Sequence, residues 1–390
     1  MRGHRLYHLA LRIWMGQCLL LGFTSHFYSW KRKCLVHSRW LKCYQWFLMA
    51  VTLVLYYSYW RYAMVYFEKG TFRRQDFITQ VSQGSVILNF CTLITQCILT
   101  VFNERQVCEV YNELAGILRN DLKQKEPTSS FYYIVFFAKF HNYLHNFNFA
   151  LSVLMILGMR TIRWADILAN CYFVYNCLSR DSVIFCYVLL LLDFGEAMRL
   201  NCQQEQDSYG GVTRQLLRQE RLKAMLRQVH RIFGWHVAVT MVFRLYFNMA
   251  VIYMGYSFMG NQPPEAMRQG LSHIKVLFTA IAFVVMLSDG LILQIICEYL
   301  LKQGNKLCSS PKVREQDRQD FVAAQRQWEM SVLRRAILRV KPENQVLGMF
   351  RMDMQCAFAL ISSSLSYGII IIQLGYLPSV HIHNYEGVRP

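Results

Sequence analysis

Apolar residues in this chain gather into long runs, with charge pushed to the gaps between them. Seven runs stand out, at about 44–64, 81–102, 140–158, 167–192, 235–259, 274–297 and 355–377. Each holds about 19–26 residues, which at ~1.5 Å rise per residue is enough to cross ~30 Å of hydrocarbon as a helix. The third helix is expected to begin earlier, near Phe131, with Lys139, His141 and His145 on its polar first half. Two long gaps keep apolar residues at helical spacing. Leu216, Leu217, Met225, Leu226 and Val229 do so in 196–230, and Phe321, Val322, Trp328, Val332, Leu333 and Ile337 in 299–339. The spacing predicts cytoplasmic helices that extend spans 4, 5, 6 and 7. The stretch 305–316, with Ser309, Ser310 and Pro311, reads as a linker. Near the start, 9–23 is apolar but short. Arg12 interrupts it, Trp14 and Gln17 follow, and no small-x-small site comes next, so a cytoplasmic or interfacial amphipathic helix is expected rather than a signal peptide.

Composition agrees with the runs. Hydrophobic residues make up 54% of the 390 and charged ones 17%, which predicts an all-α membrane protein with seven transmembrane helices. The distribution of Lys and Arg orients it. About 30 lie in 1–42 and in the gaps after spans 2, 4 and 6, and about 7 on the other side. That asymmetry places the N-terminus in the cytoplasm and the C-terminus outside. The net charge of +18 then reads as cationic loops facing an anionic leaflet, not as a nucleic-acid surface. Thirteen cysteines occur with no CxxC and no Cys/His cluster of zinc spacing, so no metal, cofactor or disulfide framework is expected. Nor does any cluster of catalytic groups stand out, and an enzyme is not expected.

Charge inside the runs marks candidate chemistry, because an ionisable group at membrane depth needs a partner. Arg244 in span 5 and Asp289 in span 6 sit on consecutive antiparallel helices and can pair. The pair reads either as a coupling element or as a static buried ion pair. Arg180 and Asp181 in span 4 are adjacent and expected on different faces, each serving a neighbouring helix. His141 and His145 share a face but lack a third ligand. In the last span Ser362, Ser363, Ser366, Gln373 and Tyr376 form a polar stripe, which either lines water or bonds to other helices.

That last span also carries a motif. Ser366-Tyr367 is followed by Gly368-Ile369-Ile370-Ile371-Ile372 and then Gln373-Leu374. This resembles the signature of the insect gustatory receptor family, Thr-Tyr, five mostly hydrophobic residues and Gln-Phe, with Ser for Thr and Leu for Phe. Chain length, seven spans, short outer loops and long basic inner loops resemble the family too. The resemblance implies a tetrameric, ligand-gated, weakly selective cation channel of the plasma membrane, as in dendrites of gustatory neurons, built as a homo- or hetero-tetramer. It implies a cytoplasmic segment 1–43, six spans over 44–297, an anchor over 298–354, a pore-lining span 355–377 and an extracellular tail 378–390. Ser366, Ile369, Ile370, Gln373 and Leu374 would line or gate the pore. A tastant pocket would lie in the outer half of the membrane. Its candidates are Ser85, Asn89, Asn148, Asn170, Tyr172, Tyr175, Asn248, Tyr253, Tyr256 and Thr279. No paired carboxylates suit a sugar, which favours an apolar, bitter-type ligand. A G-protein-coupled-type receptor is the alternative, but it needs the N-terminus outside, and no Asp-Arg-Tyr or Asn-Pro-x-x-Tyr occurs at the required places. A small-molecule transporter is the other; paired repeats and Gly/Pro-broken helices are not seen.

Overall fold

The computed structural model describes residues 2–29, 34–69, 76–123, 129–157, 164–204, 209–260, 273–306, 345–346, 350–351 and 354–386. The architecture is helical. In chain order the long elements are α1 (Arg2–Leu20), α2 (Arg39–Lys69), α3 (Asp76–Ile98), α4 (Glu104–Gly116), α5 (Ser130–Leu157), α6 (Trp164–Gln203), α7 (Tyr209–Gly260), α8 (His273–Lys306) and α9 (Met354–Glu386). Every predicted apolar run falls within these helices as far as its residues are described, except that the run 81–102 ends in a π-helical turn at Leu99–Asn103. Among the described residues two stretches, Val86–Asp121 and Met354–Gln373, are long and apolar enough to cross a membrane by length and hydropathy alone. The expected helical extensions are present beyond spans 4 and 6 and before span 5. Those in 307–344 lie outside the described residues.

The core is organised around α6. Its residues from Asn176 to Met198 are buried almost without a break, against α5, α7 and α8. The aromatic centre is Phe185, whose ring lies 4.9 Å from that of Trp14, 5.6 Å from Phe136 and 6.1 Å from Tyr143. Helix α1 joins this core through Tyr7, Ala10, Trp14 and Cys18, three or four apart and so on one face. It ends in a Schellman turn. Phe23 N–H donates to the Cys18 carbonyl (2.8 Å) and Gly22 N–H to that of Leu19 (3.2 Å), with Gly22 at φ +70°. Only glycine takes that left-handed position without a Cβ penalty.

A β-hairpin lies between α1 and α2. Strand β1 (His26–Ser29) pairs antiparallel with β2 (Cys34–His37), His26 opposite His37. Asn112 of α4 caps its free edge, accepting from Leu35 N–H (2.8 Å) and donating to the Leu35 carbonyl (3.0 Å). A second hairpin pairs β3 (Gln345–Val346) with β4 (Phe350–Arg351) just before α9. Helices α3 and α4 form one rod, joined by a π-helical turn at Leu99–Asn103, which inserts a residue and swings Glu104 toward the first hairpin.

Helices α2 and α9 differ from α6 in exposing long faces. Along α2, Gln45, Thr52 and Tyr56 face inward, while Trp40, Trp46, Phe47, Val54 and Tyr57 are exposed. On α9, Ala357, Ser364 and Gly368 form the inward stripe, packed on α7 and α8. A Cβ on Gly368 would lie 2.9 Å from Ile252 Cγ2, so this glycine sets how closely α9 and α7 approach.

A candidate site at the α7–α8–α9 junction

Charged side chains of α5 and α7 converge on Asp289 of α8. Lys139 of α5 and Arg244 of α7 each donate to it, one to Oδ1 and the other to Oδ2. Asn142, one turn beyond Lys139, adds its Nδ2 at 3.3 Å to Oδ1 and reaches Ser288 Oγ at 3.3 Å. Lys139 is buried almost completely and Asp289 nearly so. Two charges taken from water in this way are costly, and close geometry with added hydrogen bonds offsets the cost. Arg244 and Asp289 pair as their positions allow. Lys139, which the sequence marks only as the polar start of span 3, makes the group a triad. The missed signal is the Lys139–Asn142 spacing, which aims both side chains the same way from one helix face.

A second ion pair lies beside the first. Arg180 and Asp181 were expected to serve different helices. Arg180 does reach a neighbouring helix, its guanidinium 4.4 Å from the ring centroid of Phe243 on α7, and its Nε also donates to Asp181 Oδ1 at 3.2 Å. The long Arg side chain folds back along α6, because both groups are buried and the adjacent carboxylate is the nearest acceptor. His236 of α7 ties this pair to α3, its ring nitrogens lying 3.4 Å from the Arg180 carbonyl and 3.2 Å from Thr95 Oγ1. Gln96, next along α3, accepts from Ser179 Oγ at 2.5 Å.

A cavity of about 30 Å³ opens against the triad, between Arg244, Asn248, Leu245 and Met241 of α7, Gln294 of α8 and Ser364 of α9, with leucines closing the gaps. Residues i, i+3, i+4 and i+7 of each helix line it, as a three-helix seam requires. Two buried polar atoms here have no hydrogen-bond partner, Arg244 Nη1 and Gln294 Oε1. Ser364 donates to the Leu360 carbonyl at 2.7 Å. The cavity touches α9 one turn before the motif.

The motif residues themselves face away from the bundle. Ser366, Tyr367, Ile369, Ile370 and Gln373 are exposed on α9, as are Phe358 and Leu365. The Leu374 side chain lies outside the described residues.

Among the described residues, the tastant-pocket candidates lie at several places in the bundle. Asn248 lines the cavity just described. Asn89 is buried on α3. Tyr172 donates its hydroxyl to the Thr52 carbonyl, and Tyr175 to that of Leu21 at 3.1 Å, so both serve packing against α2 and the end of α1. Asn170 sits half-buried near the start of α6. The side chains of Ser85, Asn148, Tyr253, Tyr256 and Thr279 lie outside the described residues. A second cavity, about 20 Å³, lies between α2, α3 and α6 beside Gln45, Gln96 and Ser179. Neither cavity admits more than a few water-sized groups. The histidines His141 and His145 stack with ring centroids 5.9 Å apart.

Comparison with known proteins adds an independent line. A family model described as 7tm chemosensory receptor matches residues 11–377. A Drosophila melanogaster protein named "Putative gustatory receptor 10b" is 52% identical over 378 residues, covering 97% of this chain and 100% of that protein. The olfactory receptor OR5 of Machilis hrabei has the same fold. Its structure in complex with eugenol aligns at TM-score 0.62 and 11% identity, covering 94% of this chain and 99% of that one. A second structure of the same receptor aligns at TM-score 0.64 and 10% identity, with the same coverage.

Proposed function

The chain belongs to the 7tm chemosensory receptor family, and from that premise we propose that it works as a ligand-gated cation channel of the gustatory type. A small-molecule tastant, of the apolar, bitter kind, opens it. Four subunits, identical or mixed, surround a pore lined by α9. Seven helices cross the plasma membrane, with the N-terminus inside and the C-terminus outside, in the dendrites of gustatory neurons.

One observation carries this reading: the outward face of α9. A helix of spanning length exposes Ser362, Ser366 and Gln373 beside Leu365, Ile369 and Ile370. Lipid alone would not be matched by the polar members, and water alone would not be matched by the apolar ones. A ring of four such helices satisfies both. Polar groups turn to the axis, and apolar ones meet the neighbouring subunit or narrow the pore, where they gate by dewetting. No charged side chain lies in 355–377. Neutral amides from Gln373 offer carbonyl oxygens to a partly hydrated cation, and weak selectivity among cations follows.

In the same reading the tastant pocket stays with the candidates in the outer halves of the spans, and 298–354 forms the cytoplasmic anchor between subunits. The test is cysteine accessibility along 362–373, read by a charged thiol reagent during current recording. Reaction should recur at a helical period, and Gln373→Ala should change the permeability ratios. A flat accessibility profile with unchanged ratios would remove α9 from the pore.

A further inference from the structure

We propose that the cavity at the α7–α8–α9 junction is a binding site for a small monovalent anion, chloride in physiological solution, held by Arg244. The starting point is charge. Lys139 and Arg244 share the single carboxylate of Asp289 while Arg180 pairs with Asp181, so among the described residues of these two groups three cations face two carboxylates. Lys139, Arg180, Asp181 and Asp289 are buried, and the Arg244 side chain is about 15% exposed. An uncompensated charge in such surroundings costs several kcal/mol, of the order measured when one partner of a buried pair is removed (about 3–5 kcal/mol).

Geometry says where compensation belongs. Arg244 spends one terminal nitrogen on Asp289. The other, Nη1, is buried without a partner and borders the cavity. Across from it stands Gln294, fully buried, with Oε1 unpartnered and Nε2 on Met241 Sδ at 4.0 Å, a weak acceptor. Oxygen and nitrogen of a side-chain amide exchange places on a half-turn. Turning Gln294 gives up only the sulfur contact and aims its N–H groups at the space Arg244 faces. Asn248 supplies a second amide to the lining. The site then offers donors from two helices around one excess positive charge.

Size selects the ligand. About 30 Å³ exceeds the roughly 10–15 Å³ that one water needs, and it suits a halide but not an organic acid. Water alone would satisfy the orphaned hydrogen-bonding atoms and leave the charge. A metal cation would be repelled by Arg244. Ser364 and Leu360 complete the wall, so an occupied site ties α9 to the charged core. This holds whether or not α9 lines a pore.

The experiment is a melting curve of the purified full-length protein, with sodium chloride exchanged for sodium gluconate at constant ionic strength. Chloride should raise the melting temperature along a saturating curve, since it binds the folded state, and bromide should substitute for it. In Arg244→Gln the dependence should vanish. Because that variant also disturbs Asp289, Gln294→Leu serves as the second arm: it leaves the triad intact and should raise the half-saturating chloride at least tenfold. The proposal falls if wild type melts identically in chloride and gluconate, or if the chloride response of Gln294→Leu is unchanged.

Discussion

Glu104 and Asp289 are both carboxylates gripped by basic side chains from two other elements, and the two grips differ in what they leave over. Glu104 receives Lys42 Nζ at 2.6 Å, Ser25 N–H at 2.7 Å, Thr24 Oγ1 at 3.2 Å and Gln45 Nε2 at 3.4 Å, with His26 Nδ1 at 3.2 Å. Lys42 spends a further hydrogen on the Thr100 carbonyl (2.7 Å). This grip fastens the first hairpin and the foot of α2 to the top of α4. Asp289 receives Lys139, Arg244 and Asn142, but Arg244 keeps a buried nitrogen unused beside a cavity. The first arrangement is closed and local to the chain's opening segment. The second joins α5, α7 and α8 and leaves a polar gap against α9. A closed grip has one low-energy arrangement, whereas one with an orphaned donor and space beside it admits a second, which a moving helix requires.

The largest expected effect falls on Asp289. Asp289→Asn leaves Lys139 and Arg244 buried with no counter-charge on that atom, a loss of about 3–5 kcal/mol. It should appear as a marked fall in the melting temperature of the detergent-solubilised protein. Glu104→Gln keeps the neutral hydrogen bonds and loses the charge-assisted share, about 1.5–3 kcal/mol. If the Glu104 variant melts lower than the Asp289 variant, the ranking of the two grips is reversed and the Asp289 triad is not the more tightly coupled.

A smaller effect separates them by location. Gly368→Ala places a methyl 2.9 Å from Ile252 Cγ2 and pushes α9 off α7, at a cost of about 1–3 kcal/mol. Combined with Asp289→Asn it should be non-additive, since α7 carries both Ile252 and Arg244. Combined with Glu104→Gln it should add, because nothing is shared. Additivity with both would uncouple α9 from the triad.

How much of this is legible in the sequence varies from one element to the next. Helix positions are, because a run of apolar residues long enough to span is constrained by length alone. The charged extensions of α6 and α7 are legible from periodicity. Arg244 and Asp289 stand out because charge at membrane depth is costly. Lys139 as their partner does not, since its nearness to Asp289 is a property of how α5 and α8 cross, and no local pattern encodes that. The direct Arg180–Asp181 contact is not legible for a similar reason: helical geometry separates adjacent Cβ atoms, but a long buried side chain also turns back to the nearest acceptor. The first hairpin escapes notice because its strands are four residues each and interrupted by basic residues, and its edge is completed by Asn112, far along the chain. The motif is legible as a local pattern, but that its described residues Ser366, Tyr367, Ile369, Ile370 and Gln373 lie on the exposed face of α9 follows from how α9 packs on α7 and α8.

The smallest expected effect is a pH dependence that belongs to the closed grip alone, which lies past the end of the apolar run 81–102. Burial raises the Glu104 carboxyl, but hydrogen bonds from His26, Lys42 and Ser25 N–H outweigh it and bring it down to about 2. Burial likewise disfavours the charged His26 imidazole, and the contacts with Cys108 and Glu104 outweigh that, raising it to about 9. The signs are opposite. The Glu104 contribution is complete above its ordinary value of 4.5 and is lost as pH falls toward about 2. The His26 contribution is complete below 6.5 and is lost as pH rises through about 9. From pH 6.5 to about 9, therefore, only the imidazole side of this grip changes, and the hairpin should loosen as pH rises. The measurement is melting temperature across that interval, on a scale of about 2–4 °C for each kcal/mol in a domain of 150–250 residues. The fall should be present in wild type and in Asp289→Asn, and absent in His26→Gln. A fall that survives in His26→Gln would move the titrating group elsewhere, and the closed grip would then owe its strength to Lys42 and the Ser25 amide.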